Sequence, residues 1–149
     1  MIILASFGLF VLESVIKYTI VNKIPSQGFY LFKPVLQIIY TPNYNIAFSL
    51  PLPAILIYFL VISALIFLCF LWWQHLLVAN LKLLLATSLI TSGALSNLID
   101  RFALGFVVDY VNIVIWPIFN LADCMIVAGI SIYLLSELKM NKNTTINLR

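Results

Sequence analysis

Apolar positions fall along this chain in long blocks rather than short alternations. Four apolar runs, residues 2–20, 53–73, 81–99 and 119–138, are parted by segments that hold five of the six prolines. Each run approaches the roughly 20 residues that a helix needs to cross a bilayer. The first carries Glu13 and Lys17 at i, i+4 with the acid first, the favourable orientation for a helical pair. It has neither a positively charged start nor a small-residue cleavage site, so a retained span is expected rather than a signal peptide. The second is uninterrupted and ends in Trp72-Trp73, residues suited to a membrane interface, with a polar turn expected around Gln74, His75 and Asn80. The third repeats Ser88, Ser92 and Ser96 beside Gly93, a small-residue stripe that lets helices approach closely. Residues 21–52 and 101–118 are too broken for spans, and their Val, Ile, Tyr and Phe content predicts short extended segments at the membrane surface. The expected fold is an all-α membrane protein in one domain over residues 1–149: four transmembrane helices, with small extracytoplasmic β or loop elements between spans 1 and 2 and between spans 3 and 4.

Composition narrows the class further. Of the 149 residues 64% are hydrophobic and 9% charged, against ~25% charged in soluble domains. No Asp, Glu, Lys or Arg occurs from Pro34 to Leu81, which excludes a soluble globular fold. The net charge of +3 gathers into no basic patch, so nucleic acid is not expected as a partner. Cys69 and Cys124 lie in apolar runs without metal-ligand spacing and are read as buried packing residues; no metal or cofactor is expected. Four spans place both termini on one side. Lys82, Lys139, Lys142 and Arg149 lie there, against Lys23, Lys33 and Arg101 opposite, so the termini are expected in the cytoplasm.

The chemistry concentrates at the other face. Asn97, Asp100 and Arg101 share the last turn of the third span, Asn120 and Asp123 the first turn of the fourth, and Asp109 lies in the segment between. The segment that starts at Asn43 reaches the same level. An ionisable group at bilayer depth costs at least ~2.5–3.5 kcal/mol, so such groups point to function by default. Asp109 and Asp123 suit chemistry best. Two carboxylates brought together cannot both ionise; the helix N-terminus favours the anion at Asp123 and leaves the proton to Asp109. A water between them would be activated by the ionised member while the other protonates a departing amine. The plainer readings are an Asp100–Arg101 ion pair capping the third helix, an intramembrane Glu13–Lys17 pair, and interhelical hydrogen bonds from Asn97 and Asn120. His75 falls on the opposite face, which argues against a histidine triad. Residues alone leave open a small four-span transporter or channel subunit, whose acids would spread through the bilayer depth, and an assembly factor built on the serine stripe.

Five short strings, in order on four spans, resemble one family. Phe119-Asn120-Leu121-Ala122-Asp123 is similar to F-N-x-A-D, and Val107-Val108-Asp109-Tyr110 to V-x-D-F. The string from Gly93 to Arg101 is similar to G-A-x-G-N-x-x-D-R, the string from Asn43 to Ser49 to N-x-G-x-A-F-S, and Glu13 to Lys17 to D-Q-x-x-K. The family is lipoprotein signal peptidase (signal peptidase II), integral membrane aspartic peptidases of bacteria. The resemblance implies that Asp109 and Asp123 are the catalytic pair and that Asn43, Asn97 and Asn120 hold the pair or substrate carbonyls. Glu13, Lys17, Asp100 and Arg101 are then structural polar residues. It further implies a diacylglyceryl-modified prolipoprotein as substrate, cut before its lipid-bearing cysteine, with residues 106–115 and 29–40 clamping the peptide, the first by strand pairing. The expected setting is the bacterial inner membrane, as a monomer among membrane lipids with the site near the outer face. Glu13, Ser14, Asn45 and Ser96 depart from the family's Asp, Gln, Gly and Gly. Asn45 is expected to alter the turn of the first loop.

Overall fold

The computed structural model describes residues 1–25, 27–45 and 52–147. Its elements run α1 (Ile2–Lys23), β1 (Phe29–Phe32), β2 (Leu36–Asn43), α2 (Ala54–Leu77), α3 (Leu81–Leu104), β3 (Val107–Ile113), β4 (Trp116–Phe119) and α4 (Leu121–Asn147). Four helices are long and apolar enough to cross a membrane, the fourth over Leu121–Lys139. The protein is therefore a mostly helical, multi-span membrane protein, with small β elements in the two expected loops.

The helices run further than the hydropathy pattern indicates. α2 continues through Gln74 and His75 to Leu77, because both side chains are tolerated in a helix; the turn falls at Val78 and Ala79, the latter at φ 52°. Asn80 then caps α3, its side-chain oxygen accepting from the Leu83 N–H at 3.2 Å. α3 passes through Asp100 and Arg101 and stops only at Gly105, whose φ of 84° closes the C-terminus in the left-handed conformation that glycine adopts without strain.

α3 is the central helix. Of its apolar window 61% is buried, against 17%, 6% and 17% for α1, α2 and α4, and each of those helices packs on it. The small-residue stripe serves three neighbours rather than one. Ser88 accepts from the Trp72 indole of α2 at 2.9 Å, and Ser96 accepts from Lys17 of α1 at 3.1 Å. Gly93 faces α4, where an added Cβ would lie 2.5 Å from the Ala122 carbonyl oxygen; Gly129 meets α3 in the same way, 2.7 Å from the Ala86 oxygen. These two glycines bring α3 and α4 into backbone contact, which van der Waals packing rewards in lipid. Cys69 and Cys124 are exposed rather than buried. Both sit on outward faces, where hydrocarbon solvates a small apolar side chain as well as a protein core does.

The two loops form one structure. β1, β2, β3 and β4 make a single antiparallel sheet in that order, with Thr41 opposite Asp109 and Asn43 opposite Val107. β3 is thus an inner strand, flanked by β2 and, over Val111–Ile113, by β4. β1 and β4 are the edge strands. Val108 and Tyr110 point one way, packing on Ile20 of α1. Asp109 therefore points the other way, by the two-residue period of a strand.

Candidate active site

Asp109 and Asp123 are held in one hydrogen-bonded array, and Asn120 holds both. The Asn120 side-chain nitrogen lies 2.8 Å from Asp109 Oδ1 and 3.2 Å from Asn97 Oδ1. The Asn120 Oδ1 accepts from the Asp123 N–H at 2.9 Å, and Asp123 Oδ2 accepts from the Asn120 N–H at 3.2 Å. That reciprocal pair is a capping box at the start of α4. The F-N-x-A-D string is thus a helix start as well as a site motif. The other oxygen of each carboxylate is also taken: Asn97 donates to Asp123 Oδ1 at 2.9 Å, and Asn43 to Asp109 Oδ2 at 2.8 Å.

Burial separates the two acids. Asp109 is buried while Asp123 is half-buried. Removal from solvent pushes the Asp109 carboxyl up to about 6, the nearby Asp123 charge adds to the rise, and the amides of Asn43 and Asn120 oppose it. The Tyr110 hydroxyl is likewise pushed up, by burial and then by its bond to Glu13.

Lys17 lies behind the array. Its Nζ is 2.7 Å from Asp100 Oδ2, 3.0 Å from Asn97 Oδ1, 3.1 Å from Ser96 Oγ and 3.4 Å from Glu13 Oε1. By fixing the Asn97 oxygen, Lys17 leaves the Asn97 NH2 facing Asp123. The Glu13–Lys17 pair is present as expected. The Asp100–Arg101 pair is not: Asp100 turns to Lys17 and accepts from the Val108 N–H at 3.0 Å, just before Asp109 in β3. Arg101 donates to the Asn45 and Asn97 carbonyls, at 2.9 and 3.3 Å. Neighbours in sequence project from a helix about 100° apart, so they serve different partners.

Asn45 keeps a negative φ, and its N–H is fastened to Asn43 Oδ1 at 3.0 Å. This Asx-type bond orders the backbone between Asn43 and Asn45. The rest of that string, residues 46–49, lies outside the described residues. His75 packs beside Tyr133, 5.9 Å between ring centroids, at the other end of α2 from Tyr58, whose hydroxyl donates to the Arg101 carbonyl at 2.7 Å. The sequence pattern does not single out Tyr58 or Tyr110. Tyr110 was open to discovery as a polar tip on a strand residue facing away from Asp109. Among the described residues, no three His, Cys, Asp or Glu side chains gather as metal ligands would.

Known proteins resemble this chain in sequence and fold. The family model described as signal peptidase (SPase) II matches residues 5–139. The chain is 35% identical over 125 residues to the lipoprotein signal peptidase of Halothermothrix orenii, covering 83% of this chain and 86% of that one. It is 34% identical over 142 residues to the lipoprotein signal peptidase of Allorhizobium ampelinum, covering 91% and 86%. A solved structure described as a bacterial membrane enzyme, determined by the in meso method at 2.3 Å resolution, superposes with a TM-score of 0.85 at 30% identity, over 95% of this chain and 90% of that one. Four of the five acids, all but Glu137, gather at one site rather than along a path through the bilayer, so the transporter reading is not favoured. This chain is a membrane peptidase and belongs to the signal peptidase II family.

Proposed function

We propose that this protein is an aspartic endopeptidase that removes the signal peptide from diacylglyceryl-modified prolipoproteins, cutting immediately before the modified cysteine. The observation that carries the reading is the shared Asn120 array, which aligns two carboxylates of unequal burial. Burial raises the Asp109 carboxyl, so we assign the acid role to Asp109 and the base role to Asp123. Asp123 takes a proton from a water, whose oxygen bonds to the scissile carbonyl carbon. Collapse of the tetrahedral adduct breaks the C–N bond, and the Asp109 proton leaves with the amine of the lipid-bearing cysteine. Asn43, Asn97 and Asn120 keep both carboxylates in place through this exchange.

The relatives' names support the lipoprotein substrate. A diacylglyceryl anchor keeps such a peptide in the bilayer, and a site at the ends of α3 and α4 meets the bond just outside the hydrocarbon. The excess of Lys and Arg on the side of the termini supports a cytoplasmic location for them and a site at the outer face of the inner membrane, in a protein that works as a monomer among lipids. The test is cleavage in detergent of one precursor with and without the diacylglyceryl group, the released peptide being weighed by mass spectrometry. Cleavage before the cysteine of the modified precursor alone is expected. Equal cleavage of both forms, or a cut elsewhere, would remove this substrate assignment.

A further inference from the structure

The start of α4 must satisfy several backbone N–H groups that have no partner within the helix. Asn120 satisfies that of Asp123. The other two in this turn are met from outside α4. The Leu121 N–H donates to the Tyr110 hydroxyl oxygen at 3.1 Å, and the Ala122 N–H to Glu13 Oε1 at 3.3 Å. The Tyr110 hydroxyl in turn donates to Glu13 Oε2 at 2.6 Å, the short contact of a charge-assisted bond. Tyr110 follows Asp109 in β3, and Ala122 precedes Asp123 in α4. One buried carboxylate from α1, fully shielded from solvent, therefore grips the chain immediately beside both aspartates. The Glu13 charge also lies at the positive end of the α4 dipole.

We infer that Glu13 and Tyr110 form a single strut of positioning residues that sets the spacing between Asp109 and Asp123. The inference deepens the proposed aspartate mechanism and rests on it. Neither residue touches the reacting atoms. β3 cannot slide against the first turn of α4 without breaking the bond from Leu121 to Tyr110, and α1 cannot shift without releasing both. Because the proton-sharing of two carboxylates depends on their separation, loosening the strut draws their two apparent pKa values together.

The experiment compares kcat, KM and the pH–rate profile for Tyr110→Phe, Glu13→Asp and the double variant, on the lipid-modified precursor in detergent. Each single change breaks the Glu13–Tyr110 bond from one side while leaving a carboxylate for Lys17, so whichever stays folded by detergent melting decides the question. The expected result is a fall in kcat of about 10-fold or more with KM unchanged. The bell-shaped profile should narrow, and the double variant should be no slower than the worse single one. Lost stability alone would leave the width of the bell untouched. A wild-type kcat and bell width in Tyr110→Phe, or losses that multiply in the double variant, would overturn the strut. Asp109→Asn is run alongside. Activity surviving there removes the aspartate mechanism itself, whereas its loss there beside a normal Tyr110→Phe removes only the strut.

Discussion

α1 and α2 are both long apolar helices packed on α3, yet they are built on opposite rules. α2 is the more apolar, and its single buried residue is Ile57. α1 buries Ser6, Glu13, Lys17 and Ile20, so two of its four buried side chains are charged. The better-looking membrane span contributes least to the site, and the one interrupted by charge supports it. Where the surroundings are hydrocarbon, burying another apolar side chain gains little, and polar contacts specify the interior. The outward face of α2 needs only to be compatible with lipid, whereas the inward face of α1 must match Asn97, Asp100 and Tyr110 atom by atom.

That contrast can be broken by substitution. Lys17→Met should have the largest effect. It leaves Glu13 and Asp100 as uncompensated charges, which costs about 3–5 kcal/mol, and it frees the Asn97 amide; melting in detergent and the cleavage rate would both fall. Next, Gly93→Ala places a methyl group against the Ala122 carbonyl. Overpacking of this kind costs about 1–3 kcal/mol, and prising α4 from α3 should lower kcat as well as the melting temperature.

Asn43→Ala sharpens the comparison, because it removes the dyad contact that α1 does not reach. Asn43 donates to Asp109 and opposes the rise caused by burial, so its loss should raise the carboxyl further. The proton-bearing form then survives to higher pH, and the alkaline limb of kcat/KM, expected near pH 6 in the wild type, should move upward. A downward or absent shift would mean that another group sets this limb. Least affected should be Phe59→Leu on the outward face of α2, where the change stays within about 0.5 kcal/mol. A loss there comparable to that of Lys17→Met would erase the difference between the two helices.

Much of the site was legible in the sequence because its motifs are local. Asn120 and Asp123 are close enough to cap one helix turn, and their spacing carries that geometry directly. Asn97 and Asp100 share a helix face by period alone. The partner of Asp100 was not legible, since it lies 83 positions away on α1 and its sequence neighbour Arg101 was the nearer candidate. The joining of two loops into one sheet was hidden for the same reason: the pairing of β2 with β3 is a long-range choice that neither loop displays. Tyr110 escaped notice because its aromatic ring reads as packing, and only the position of Glu13 gives its hydroxyl a task.

The most direct test of the central claim is the cleavage rate of Asp109→Asn and Asp123→Asn on the lipid-modified precursor, each variant first shown to fold like the wild type. An aspartate pair sharing acid and base roles predicts that either substitution lowers kcat by about 10²- to 10⁴-fold or more. A folded variant of either kind that cleaves at the wild-type rate would contradict the account.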